Sequence, residues 1–158
     1  MSEMNDTLVL GIGNLVLQDE GFGIHVIREL ERMREEEGAD GPLHGVDLLD
    51  GGCAGLHLMG YIQNYSRLIV IDASLDSCPE GTVRRLRPSF GEFPPLVTVH
   101  EIGLKDLLEA LTLTGTCPDT EMIVCSVKKY TSLGTTLSPA VEAAVPRAIA
   151  LLRETLAE

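Results

Sequence analysis

The sequence predicts an α/β fold with helices on both faces of a mainly parallel, twisted sheet, a three-layer αβα sandwich that also carries one antiparallel or edge strand. Three observations support this. Residues 8–10, 68–71 and 122–125 are short uninterrupted apolar runs, the pattern of strands covered on both faces. Amphipathic segments alternate with these runs, as right-handed crossovers of a parallel sheet require. Residues 81–88 depart from the pattern: Arg84, Arg85 and Arg87 alternate with Val83 and Leu86, as on an antiparallel or edge strand.

The first strand ends in Gly11 and Gly13, and an acidic pair, Asp19 and Glu20, stands at the mouth of the next helix. Capping is the simplest reading of that pair, because negative charge is favoured at a helix's positive end. A dinucleotide fingerprint would need glycine at position 16, which is Val16, and no Lys-Ser or Lys-Thr pair follows as in a phosphate-binding loop. Two carboxylates at the turn would repel a pyrophosphate, so the loop suits a cation better.

Phe22, Val26, Ile27, Leu30 and Met33 recur at helical spacing, which predicts a helix over about 20–36. His25 within it reads as a packing or surface residue. Residues 44–49 form a short second strand closing at Asp50-Gly51-Gly52, where Asp50 is either a turn former or a catalytic acid. A short helix follows over 53–65, with Cys53 near its start, where a helix dipole would favour thiolate.

The clearest strand, residues 68–71, runs into Asp72. A Pro/Gly-rich loop from Pro88 ends in Val97-Thr98-Val99-His100, and loops of that length are often functional. Gly103 then precedes a helix built on Leu104, Leu107, Leu108 and Leu111. Ser138-Pro139 is an N-cap followed by proline at the first helical position, and Val141, Val145, Ile149 and Leu152 mark that helix's buried face. Pro146 removes one hydrogen bond inside it and should kink it.

With 158 residues and 44% hydrophobic content, the chain is read as one domain over 1–158 with a real core. No apolar run approaches the ~20 residues that span a bilayer, and MSEMNDT lacks a signal peptide's basic flank and apolar centre. A cytoplasmic protein without a membrane partner is expected. The four cysteines form no CxxC pair, which argues against a structural zinc site or disulfides. A net charge of −12 opposes nucleic acid as a partner and favours a protein or a cation.

In sheets of this kind ligands bind beyond the carboxyl ends of the strands. Glu20, Asp50, Asp72 and His100 each follow a predicted strand end, so they are expected to share one edge. Two carboxylates and an imidazole make a divalent-metal set suited to nickel or zinc, with open positions for water or substrate. Caps and turns account for the same acids if the topology differs.

GIGNLVLQDEGFG at 11–23, DGG at 50–52, LIVIDA at 68–73, VHEIGL at 99–104 and LSPAVEAAVP at 137–146 together resemble the hydrogenase maturation endopeptidases, which trim the large subunit of nickel-iron hydrogenases. The first motif is highly specific, and the series covers the chain nearly end to end. The resemblance implies an αβα sandwich in which Glu20, Asp72 and His100 contact nickel supplied by the hydrogenase large-subunit precursor. It implies removal of a short C-terminal extension, with nickel contact as a checkpoint. Asp50 is the candidate general base for water, and Asp72 the alternative. The chain has Cys53 where the family often has threonine, and Val127-Lys128-Lys129-Tyr130 where many members have an acid-proline turn. Lys128 and Lys129 are therefore candidates for contact with acidic groups of the precursor.

Two other readings compete. One is a non-enzymatic metal- or nucleotide-binding module on the same fold. The other is a cysteine hydrolase using Cys53.

Overall fold

The computed structural model describes residues 5–38, 40–53, 55–88, 98–128 and 132–158, the stretch 98–102 as backbone only. Strands β1 (Thr7–Gly11), β2 (Val46–Asp50), β3 (Arg67–Ser74), β4 (Val83–Leu86) and β5 (Asp119–Ser126) form one sheet in the order β2-β1-β3-β5-β4. All neighbours are parallel except β4, which pairs antiparallel to β5 at the sheet edge. The arginine-rich strand is therefore both antiparallel and an edge.

Helices α1 (Phe22–Glu37), α2 (Met59–Ile62), α3 (Thr98–Leu113) and α4 (Pro139–Leu156) complete three layers. Val9, Ile69, Ile71, Ile123 and Cys125 point to one face and pack with α1 and α4. Leu8, Leu10, Leu68, Val70, Met122 and Val124 point to the other, under α3 and Ile62 of α2. Both faces of β1, β3 and β5 are thus dry, which is why these strands read as unbroken apolar runs.

Several boundaries differ from the expectation. A 3₁₀ turn, Gln18–Gly21, precedes α1, so Glu20 lies in that turn and the helix begins at Phe22. β3 extends past residue 71, which puts Asp72 inside the strand opposite Val124 of β5. On its other side, however, β1 stops at Gly11, level with Ile71. Asp72 consequently lies just beyond the end of β1 while still paired to β5.

The largest difference is at His100. It falls in the first turn of α3, because that helix starts at Thr98 and carries Gly103 in its interior. A glycine inside a helix costs only about 1 kcal/mol. Four fully or nearly buried leucines, Leu104, Leu107, Leu108 and Leu111, outweigh it. Where a helix over 53–65 is expected, a 3₁₀ turn, Leu56–Leu58, runs into the single turn of α2, which is shorter. The helix after Ser138 is continuous from Pro139 to Leu156, with Pro146 inside it. Apart from Pro88, the loop read over 88–97 lies outside the described residues.

Candidate active site

The acid turn is seated on the carboxyl ends of β1 and β3 by close backbone contacts. Ile12 N–H donates to Ile71 O at 2.9 Å, Gly13 N–H to Gly52 O at 2.8 Å, and Asn14 N–H to Glu20 O at 3.1 Å. A Cβ on Gly13 would lie 2.4 Å from Glu20 O, and one on Gly23 would lie 2.2 Å from Ile71 O. These glycines are needed for close approach: they let the turn and the start of α1 rest directly on the strand ends. The 3₁₀ turn itself packs against β3.

Glu20 is half-buried in this turn, and Asp72 is fully buried with Ala73 N–H donating to its Oδ1 at 2.7 Å. Side chains alternate along β3, so Asp72 belongs to the face of Leu68 and Val70, under α3. α3 leads into the start of β5, which pairs with the start of β3. A helix of 16 residues spans about 24 Å, so its first turn reaches back to the carboxyl edge. The backbone of His100 therefore comes to the edge and the face that carry Asp72, and its side chain lies outside the described residues.

Asp50 ends β2 level with Gly11, is exposed, and accepts a hydrogen bond from Gly52 N–H at 2.9 Å. That is the turn-forming role expected of an Asp before two glycines. Cys53 is exposed, with its thiol 3.9 Å from Gly13 O. It precedes the Leu56–Leu58 turn instead of opening a longer helix. Cys125, in contrast, is buried, and burial pushes its thiol up to about 12. Among the described residues no three His, Cys, Asp or Glu side chains gather closely enough to hold a metal.

Asp19 does not cap α1, whose N-cap is Gly21 with no side-chain cap. Its carboxylate instead accepts from Ser138 N–H at 2.7 Å and from Ser138 Oγ–H at 2.8 Å. Ser138 holds the N-cap place of α4 but makes no side-chain capping bond there. The sequence marked both residues as caps, yet each serves the other. Glu80 Oε1 is also 2.9 Å from Ser138 Oγ, and Lys128 pairs with Glu80 Oε2 at 3.2 Å. Lys128 thus has a partner within the chain, and Lys129 lies outside the described residues.

The arginines of β4 and Arg87 just after it are also paired internally. Arg84 meets Asp76, Arg85 meets Glu121 and Glu158, and Arg87 meets Asp119 and Glu121. Their charge is thus met within the chain. His25, one turn into α1, is half-buried, and burial first and Arg28 second hold its pKa below the usual value.

A family model described as hydrogenase maturation protease matches residues 24–155. The hydrogenase 2 maturation protease of Escherichia coli is 36% identical over 157 residues, covering 93% of this chain and 90% of the relative. The hydrogenase expression/formation protein HupD of Bradyrhizobium diazoefficiens is 32% identical over 99% of this chain and 81% of its own length. Among solved structures, the hydrogenase maturating endopeptidase HybD from Escherichia coli superimposes with a TM-score of 0.74 at 31% identity, over 94% of this chain and 93% of that one. With its sheet order, helix layers and acid turn, the chain belongs to the hydrogenase maturation protease family of peptide-bond hydrolases.

Proposed function

We propose that this protein, acting as one domain over 1–158, removes the C-terminal extension of a nickel-loaded hydrogenase large-subunit precursor. The relatives' names speak for hydrogenase maturation. The observation that carries the site reading is the seating of the Glu20 turn on the strand ends beside Asp72, through Gly13 and Gly23. On this reading Glu20, Asp72 and His100 contact the substrate's nickel, and the nickel arrives with the precursor. No helix among the described residues is long and apolar enough to cross a membrane. With the acidic composition, this fits a cytoplasmic enzyme whose partner is the precursor.

The chemistry assigned to the chain is aspartate-based hydrolysis. Asp50, held by Gly52 N–H, takes a proton from water while the oxygen attacks the scissile carbonyl carbon. The carbon–nitrogen bond then breaks and the departing amine takes up the proton. Nickel contact by the two carboxylates and the imidazole makes cleavage conditional on a loaded precursor.

The test is mass spectrometry of a large-subunit precursor, with and without inserted nickel, incubated with wild type and with Glu20→Ala, Asp72→Ala and His100→Ala. Nickel-dependent loss of a C-terminal peptide, impaired in all three variants, is the expected result. A loaded precursor left intact by wild type would favour a binding module, and equal cleavage of nickel-free precursor would remove the checkpoint.

A further inference from the structure

We propose that Ser138 and Asp19 are positioning residues whose paired hydrogen bonds fix the turn that presents Glu20 to substrate. This rests on the site reading given above. Both donors of Ser138, its backbone N–H and its hydroxyl, are directed at the Asp19 carboxylate, at 2.7 and 2.8 Å. Asp19 is only 7% exposed although it sits in a loop between a strand and a helix. Asp19 thus holds the turn from within, and Glu20 is the next residue along it.

The anchor is rigid. Ser138 immediately precedes α4, which is fixed by Val141, Ala144, Ala148 and Leu152, all fully buried. The turn also needs holding. Gln18 has φ +46°, a conformation that side chains other than glycine rarely adopt. Its N–H donates to Gly134 O at 2.8 Å, and Gly134 N–H donates to Val16 O at 2.8 Å. The loop before α4 therefore grips the acid turn at two backbone points and one carboxylate.

The third segment drawn in is the β3–β4 connection. Glu80 lies 2.9 Å from Ser138 Oγ and is paired to Lys128. The hydroxyl has one proton and serves one carboxylate at a time, whereas Asp19 keeps the backbone N–H throughout. Three loops thus converge on one serine, and the residue they align is Glu20. A catalytic group set on a loose loop loses rate steeply with small displacement.

Wild type, Ser138→Ala and Ser138→Thr are compared on nickel-loaded precursor by steady-state cleavage, and on amide hydrogen exchange across residues 17–21 and 67–74. Ser138→Ala is expected to lower kcat/KM about tenfold and to speed exchange at 17–21, with 67–74 protected as in wild type. Ser138→Thr, which keeps the hydroxyl, should restore both. Wild-type cleavage by Ser138→Ala with a loosened turn overturns the proposal. So does unchanged exchange at 17–21, or a loss that tracks global unfolding and is not restored by threonine. A wild-type protein that leaves loaded precursor intact overturns the peptidase reading instead, and removes the catalytic half of this proposal whatever the exchange data show.

Discussion

Gly23, the second residue of α1, lies so close to the carbonyl of Ile71 that a Cβ would stand 2.2 Å from its oxygen and 2.4 Å from Ile12 O. Both obstacles are strand-end backbone and cannot swing aside. The contact brings the start of α1 down onto the edge where Asp72 follows Ile71. Gly23→Ala must lift the helix start and the acid turn together. A loss of about 3 kcal/mol is expected in urea unfolding, with cleavage falling further than the folded fraction explains.

The fold was largely legible because β1, β3 and β5 bury both faces, so their sequence pattern had one interpretation. The antiparallel edge was legible for the opposite reason: Val83 packs on one core and Leu86 on the other, while every residue of β4 stays half-exposed and leaves room for Arg84 and Arg85. The site was less so. Asp72 and Glu20 were singled out from their places after apolar runs, but the extension of β3 through Asp72 depends on β5, a partner 52 positions along in the Asp72–Val124 pairing. The roles of Asp19 and Ser138 were hidden because each is also a good local cap, and only tertiary contact turns them toward each other. The sign that could have exposed the pair is redundancy: two adjacent acids where one cap suffices. The start of α3 was missed because Gly103 reads as a boundary when the leucine face beneath it is not weighed.

Glu121 is 1% exposed at the opposite end of β5 and faces Arg67, Arg85 and Arg87. Its hydrogen bond with Arg85 holds its pKa below the usual 4.5, against the opposing effect of burial. The unfolded carboxyl protonates first on acidification. Glu121 therefore contributes stability in full above the ordinary carboxylate range, and loses it as pH falls through the folded value. Glu121→Ala should cost about 2 kcal/mol at neutral pH, because the arginines remain partly solvated once unpaired. The variant should also lose part of the wild type's acid-induced fall in stability. Denaturant midpoints over an acid pH series measure both effects.

His25 titrates in the other direction. Burial and Arg28 keep its pKa below 6.5, opposed by its bond to the Thr135 backbone and by Glu142. As pH drops below 6.5, the unfolded chain takes up a proton that the folded chain resists, so stability falls until the folded value is passed. Its Nε2 is buried with no partner among the described residues. His25→Gln should flatten the slope of stability just below pH 6.5 without altering the limb due to Glu121. Thermal midpoints of both proteins across that range would show a persistent slope if another group is responsible.

The cysteines separate two chemical accounts of the site. Cys53 is exposed beside Gly13, whereas Cys125 is buried with its thiol pushed up to about 12. Thiolate is the reactive species, so iodoacetamide at neutral pH should label Cys53 in the folded protein and leave Cys125 untouched until unfolding. Peptide mass spectrometry reads the labelling site by site. If carboxylates perform the hydrolysis, Cys53→Ala should cut loaded precursor within about threefold of wild type. Cleavage should also stop with Asp50→Asn, whose amide has the shape of the carboxylate but cannot take the water's proton. The reverse result, with Cys53→Ala inactive and Asp50→Asn active, would transfer the nucleophile from water to the thiol and make the edge of β2 a cysteine-hydrolase site.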